Sequence, residues 1–322
     1  MEVDHYLQKV YDEATSKNTR TNKEIVTKVK GILGDFPIPD EEKIEWLKAP
    51  VDCGDYIIEK VQFFSTEGLR VPMYILTPKS ADEEPPCVLA LHGHGNGSVD
   101  VIGGETDSAH IHNHFAIQLV RKGVKVFAPD MIGFADRRLK EDLVGGNQNS
   151  CYALASRLLM TGKTLVGLRV FEARRALDVI TTHFRGEGIG VMGFSGGGWI
   201  AALTALVDER ISATVLAGFA STFKGSFFHT EHCLDNYLPG ILEIAELPCL
   251  LSAIAPRPLF IEHGINDDCF PVDHAGDALE TIRKVYRKLH AEGRVAAHFY
   301  DGGHEVNGQL SSQWLKKRLS ER

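Results

Sequence analysis

The chain has 322 residues, 43% of them hydrophobic and 24% charged, with a formal net charge of −8. That length carries one large or two medium domains with a sizeable core. The acidic balance argues against a nucleic-acid groove, which needs a basic footprint. No stretch reaches the roughly 18 consecutive apolar residues of a membrane span. The first residues, MEVDHYLQKVYDEATSKN, lack a basic segment followed by an apolar one, so no signal peptide is expected and a cytoplasmic location is the default. The six cysteines are scattered, with no C-x-x-C pair, and read as free thiols in a reducing compartment.

Taken in order, residues 1–50 read as a helical extension, with spaced apolar positions in TNKEIVTKVKGILGDF and a stop at Gly34 and Pro37. The remainder, 51–322, reads as one domain. DYIIEKVQFFST and LRVPMYILTP are strand-like and flank Glu67-Gly68, a hairpin signal. Short apolar runs then alternate with helical patterns. CVLALHG precedes a helix in IHNHFAIQLVRKG, and VKVFAPD precedes FEARRALDVITTHF. IGVMGFS leads into GGWIAALTALVD, and ISATVLAGF and RPLFIEHG follow. DHAGDALETIRKVYRKLHAEG is a long amphipathic helix, VAAHFYDGGH a last strand and loop, and GQLSSQWLKKRLSER a last helix. This rhythm predicts an α/β fold: a mostly parallel sheet covered by helices on both faces. Two stretches, about 131–165 and 220–250, break it and read as lid-like insertions that wall a substrate pocket.

Ligands on such sheets bind at the carboxyl ends of the strands. The segment VMGFSGGGWI there contains Gly193-Phe194-Ser195-Gly196-Gly197, a G-x-S-x-G between an apolar strand and a helix. This is the context of a serine nucleophile on a tight turn, with glycines where strand and helix close together. The competing reading is a Gly-rich bend or phosphate loop, but no G-x-x-x-x-G-K-[ST] is present. A serine needs a base, and the base an acid. His304, in the loop after the last strand, is the candidate base. His263 and His298 lie inside strands and read as core histidines. Asp267 and Asp268 compete as the acid, and Asp267 is nearer its strand end. Asp130 precedes the serine and reads as a loop-ordering carboxylate that could pair Arg137 or Arg138. The amides of Gly196 and His94 are the candidate oxyanion donors, with the His92 ring bracing that loop. Tyr152, Phe223, Phe227 and Tyr237 are candidate pocket residues; packing of the lids onto the core is the alternative use for them.

Together LALHGHG, VFAPDMIGFADRR, GVMGFSGGGW, APRPLFIEHGINDDCFPV and DGGHE resemble the α/β-hydrolase superfamily, in its dienelactone-hydrolase-like and acetyl-xylan-esterase-like branch of bacterial esterases. LVGLRVFEARRALDVI and HCLDNYLPG resemble that branch's pocket region, and the similarity covers about residues 55–306. The resemblance implies an α/β-hydrolase fold and a Ser195–Asp267–His304 triad. It further implies hydrolysis of small carboxylic esters, of short acyl type, with no cofactor or metal. It supports Asp267 over Asp268 through the spacing Gly264, Asp267, Pro271. Two departures stand out. Ala135 occupies a position where such sequences often carry glycine, and serine stands where a true dienelactone hydrolase has cysteine.

Rival readings are a serine peptidase of the same fold, a metal-dependent hydrolase and a non-catalytic binding module. Such peptidases usually bring a large N-terminal domain that 48 residues cannot supply. For a metal, His92, His94, His110, His112 and His114 with Glu105 and Asp107 are the available donors, but no H-E-x-x-H is present. All three triad types are present in order, which argues against the binding module. The sequence predicts no nucleic-acid or membrane partner and leaves a homo-oligomer open.

Overall fold

The computed structural model describes residues 2–18, 21–39, 43–66, 68–79, 84–103, 111–184 and 188–321. Three strands, β1 (Ile44–Asp52), β2 (Tyr56–Thr66) and β3 (Leu69–Pro78), form an antiparallel meander. Six more follow: β4 (Cys87–Leu91), β5 (Lys125–Pro129), β6 (Ile189–Phe194), β7 (Ile211–Ala217), β8 (Leu259–Gly264) and β9 (Val295–Tyr300). They run parallel to one another, and β3 joins them antiparallel to β5. The sheet order is β1-β2-β3-β5-β4-β6-β7-β8-β9. The chain reverses direction of travel across the sheet between β4 and β6, where sheets of this kind open a crevice for ligands.

The helices are α1 (Glu2–Ser16), α2 (Asn22–Leu33), α3 (Val99–Ile102), α4 (Phe115–Arg121), α5 (Lys140–Gly145), α6 (Cys151–Leu159), α7 (Leu165–Phe184), α8 (Gly196–Val207), α9 (Ile241–Ile244), α10 (Leu247–Ser252), α11 (Val272–Lys288) and α12 (Gln309–Ser320). Two cores flank the sheet. Along β4, Leu89 and Leu91 face the first with Val170, Ala176, Leu203 and Ile282 of α7, α8 and α11. Val88 and Ala90 face the second with Phe115, Leu119, Leu315 and Leu319 of α4 and α12. Side chains alternate across a strand, so burial on both faces makes the strand continuously apolar. That is why the central strands are so legible. Among the described residues no helix is long and apolar enough to cross a membrane.

The N-terminal segment departs from the expected boundary at residue 50. Residues 44–52 form β1, which belongs to the sheet. Eight of its nine residues are exposed, so it carries no alternating pattern. Before it, α2 is capped by Thr21, whose Oγ1 accepts from the Glu24 amide at 3.3 Å, and ends at Gly34 with φ of 80°. It buries Ile25, Val29 and Leu33 in the first core. The helix expected in IHNHFAIQLVRKG starts only at Phe115, because Asn113 and His114 both take left-handed backbone angles.

One buried ion pair ties the first insertion to the sheet. Arg137 donates two hydrogen bonds of 2.6 Å to the Glu172 carboxylate, and both side chains are only 5–6% exposed. Ser65 of β2 donates to the same carboxylate at 2.9 Å. Removing one partner strands a buried charge, which costs about 3–5 kcal/mol. Glu172→Ala is therefore expected to lose stability of that order in urea denaturation. A loss below about 1 kcal/mol would contradict the pairing.

Candidate active site

The site is built on the turn between β6 and α8. Ser195 sits there with φ of 54° and ψ of −124°, a backbone conformation that is costly for a residue with a side chain. Close packing enforces it. A Cβ on Gly193 would lie 2.2 Å from the Gly197 carbonyl oxygen. A Cβ on Gly197 would lie 2.3 Å from the carbonyl oxygens of both Leu91 and His92. Strand, helix and the loop after β4 thus meet backbone to backbone, which only glycine allows.

Ser195 Oγ lies 2.8 Å from His304 Nε2, and His304 Nδ1 lies 2.8 Å from Asp267 Oδ2. The expected three residues are therefore joined in one hydrogen-bonded chain. Asp267 is buried, and its Oδ1 accepts from the amides of Cys269 and Phe270, each at 2.9 Å. This fixes the carboxylate, which in turn selects the tautomer with a proton on Nδ1 and leaves Nε2 to accept from the serine. Asp268 is exposed. The His304 ring packs against Phe194 and Phe270, with centroids 4.9 and 5.7 Å apart. His263, expected in the core, is buried there with Nε2 2.8 Å from the Phe270 carbonyl.

The loop after β4 is braced by two histidines. His92 is buried, with Nδ1 2.7 Å from the Gly93 carbonyl and Nε2 accepting from the Met131 amide at 3.0 Å. His112 Nε2 accepts from the Gly93 amide at 2.9 Å. Both rings are thus committed to backbone groups, which is where the proposed metal reading of the histidines fails for these two. Glu105, Asp107 and His110 of that reading lie outside the described residues. Among the described residues, no side chain or loop carbonyl takes the His94 or Gly196 amide, so both candidate oxyanion donors are available. The His94 ring lies over Gly196, with Nδ1 3.7 Å from where a Gly196 Cβ would stand.

Asp130 orders its loop as expected, but through a different partner. Its Oδ1 accepts from the amide and hydroxyl of Ser98 at 2.8 and 2.6 Å. Arg137 instead reaches Glu172 and the Asp130 carbonyl, and Arg138 reaches the carbonyls of Ala135 and Asn147. Ala135 has φ of 48°, the left-handed region that explains why glycine is common there.

Phe223, Phe227 and Tyr237 line one apolar cavity of about 520 Å³, together with Trp199, Phe228 and Leu238. Ala14 of α1 contributes to its wall, and Tyr11 donates to Glu246 at 3.0 Å nearby. Asn236 lines the same cavity and places its Oδ1 3.2 Å from the site of a Gly196 Cβ, so the cavity abuts the serine turn. Tyr152 does not line it. α6 buries Cys151 and Ala155 and turns Tyr152 outward, 71% exposed. Trp199 and Asn236 are not among the expected pocket residues: Trp199 lies in the apolar run of α8, and Asn236, though within HCLDNYLPG, carries no periodic signal.

Burial of His92 disfavours its charged form and pushes its pKa down to about 4. The unfolded chain then binds a proton that the folded chain refuses. Stability is complete above about pH 6.5 and falls as pH drops towards 4. The unfolding free energy of wild type should decline over that window more steeply than that of His92→Gln. Equal slopes would show that His92 is not held neutral.

Three comparisons bear on this arrangement. Residues 7–305 match the model of the Abhydrolase family. The Bacillus subtilis protein YtaP, provisionally named a hydrolase, is 27% identical over 300 residues, covering 88% of this chain and 93% of that one. Among solved structures, one from Bacteroides fragilis, provisionally described as an acetyl xylan esterase, superposes with a TM-score of 0.78 at 18% identity, over 92% of this chain and 86% of that one. The glucuronoyl esterase of Solibacter usitatus superposes with a TM-score of 0.64 at 15% identity, over 90% and 91% of the two chains. The structural likenesses show a shared fold, and with a family match spanning nearly the whole sequence they settle the assignment: the chain belongs to the Abhydrolase family and is a hydrolase of the α/β-hydrolase fold.

Proposed function

We propose that this protein hydrolyses small carboxylic esters through Ser195, His304 and Asp267. The observation that carries the reading is the relay of two 2.8 Å hydrogen bonds ending on a serine in a strained turn. His304 Nε2 takes the Ser195 proton as Oγ attacks the ester carbonyl. Asp267 stabilises the imidazolium that forms. The Gly196 amide, at the positive end of α8, and the His94 amide face the developing oxyanion, and each such donor is worth about 3 kcal/mol. The imidazolium returns its proton to the leaving alcohol. Water, deprotonated by the same Nε2, then attacks the acyl-enzyme and releases the acid. The esterase names of the structural neighbours support the ester as the substrate class.

For the acyl half, the sequence resemblance favours short chains. The cavity supports a second reading, in which an apolar acyl or alcohol group larger than acetyl occupies the space between Trp199, Phe223, Phe227 and Tyr237.

Ser195→Ala should lower kcat by about 10⁴ or more while the protein keeps its fold. Turnover near wild type would discard the assignment. The acyl half is read from kcat/KM on p-nitrophenyl acetate, butyrate and octanoate. A maximum at acetate fits the short-chain reading. A maximum at butyrate or octanoate that Trp199→Ala abolishes fits occupation of the cavity.

A further inference from the structure

Next to the serine turn, but outside its relay, four side chains from three segments converge. His94 comes from the loop after β4, Cys151 opens α6, and Cys233 and Asp235 belong to the short turn in the second insertion. A ring nitrogen of His94, the two Sγ atoms and a carboxylate oxygen of Asp235 all lie within 4.8 Å of one another. Cys151 and Asp235 are fully buried. His94 Nε2 is itself buried and 3.2 Å from Asp235 Oδ2, yet it lacks the alignment of a hydrogen bond. The cluster therefore holds a buried donor atom with nothing aligned in front of it.

We propose that His94, Cys151, Cys233 and Asp235 form a zinc site. Two sulfurs, one imidazole and one carboxylate make a tetrahedral set that suits zinc and does not suit the hard, oxygen-seeking calcium or magnesium ions. Bond lengths of about 2.0–2.3 Å place tetrahedral ligands about 3.3–3.8 Å apart, so the cluster closes on the ion by small rotamer shifts. The charges also balance. Two thiolates and one carboxylate supply three negative charges. The zinc ion and the guanidinium of Arg169 supply three positive ones, and a neutral cluster tolerates burial.

Arg169 contacts both of these ligands: its guanidinium lies 2.6 Å from Asp235 Oδ2 and 3.3 Å from Cys151 Sγ. Asn236 donates to the other Asp235 oxygen at 3.0 Å. Hydrogen bonds of this kind orient metal ligands. On binding, any protons carried by the two sulfurs and the ligating His94 nitrogen are lost to solvent and two Zn–S, one Zn–N and one Zn–O bonds form, with no change of oxidation state. Four protein ligands fill the tetrahedron, so the ion acts structurally. It pins the loop carrying the His94 amide to both insertions. The site stands apart from the ester reading, because metal content is measured without any substrate.

The test is metal analysis of the full-length chain, purified under reducing conditions, saturated with zinc and passed through a desalting column. Wild type and Cys249→Ser, a cysteine outside the cluster, should retain roughly one zinc per chain. Cys151→Ser and Cys233→Ser should lose it. Cobalt in place of zinc should give the intense visible bands of tetrahedral thiolate coordination in wild type and Cys249→Ser and not in the Cys151 and Cys233 variants. If the cysteine variants fail to fold, the cobalt spectrum of wild type decides. Wild type that retains no zinc and shows no such bands would overturn the proposal. So would zinc retained in both variants, or a Cys151–Cys233 disulfide that persists under reduction.

Discussion

Three pieces of backbone meet at Ser195 with no room for a side chain between them. The Gly197 Cα faces the carbonyls of Leu91 and His92, and the Gly193 Cα faces the carbonyl of Gly197. This contact fixes everything else at the site. It forces the serine into its strained turn and brings the loop after β4 across the top of α8. The strain costs stability, and the two cores on either side of the sheet stabilise the turn against relaxing.

Asp267 and His304 reach the same point from the opposite edge. β8 runs parallel beside β7 and β9 parallel beside β8, so the loops leaving them open on the same side as the serine turn. The approach is again backbone to backbone, with a Gly264 Cβ position only 2.2 Å from the Gly303 carbonyl. Asp267 is then locked by two amides and His304 by two aromatic rings. Reach, tautomer and ring orientation are thus set by the scaffold before any substrate arrives.

The parts of this arrangement that sequence discloses share one property: they are local. Strands buried on both faces are continuously apolar, and the serine turn keeps its glycines within five residues. The order of serine, acid and base follows from strand ends. What sequence hid is either exposed or assembled at a distance. β1 is wet on almost every residue and carries no pattern. The pairing of Arg137 with Glu172 joins a loop to a helix, and no spacing rule predicts it. The cluster of His94, Cys151, Cys233 and Asp235 is drawn from three segments, so reading the cysteines one by one gave only buried thiols. Tyr152 lies outside this cavity because consecutive helix residues point about 100° apart, and Cys151 is the one that faces in.

The central claim is that Ser195 Oγ is the activated nucleophile. It is tested most directly by reacting the protein with an alkyl fluorophosphonate and locating the adduct by peptide mass, while following p-nitrophenyl acetate turnover. The account predicts a single adduct on Ser195, formed in step with loss of turnover. Turnover that survives full labelling, or an adduct on another residue, would contradict it.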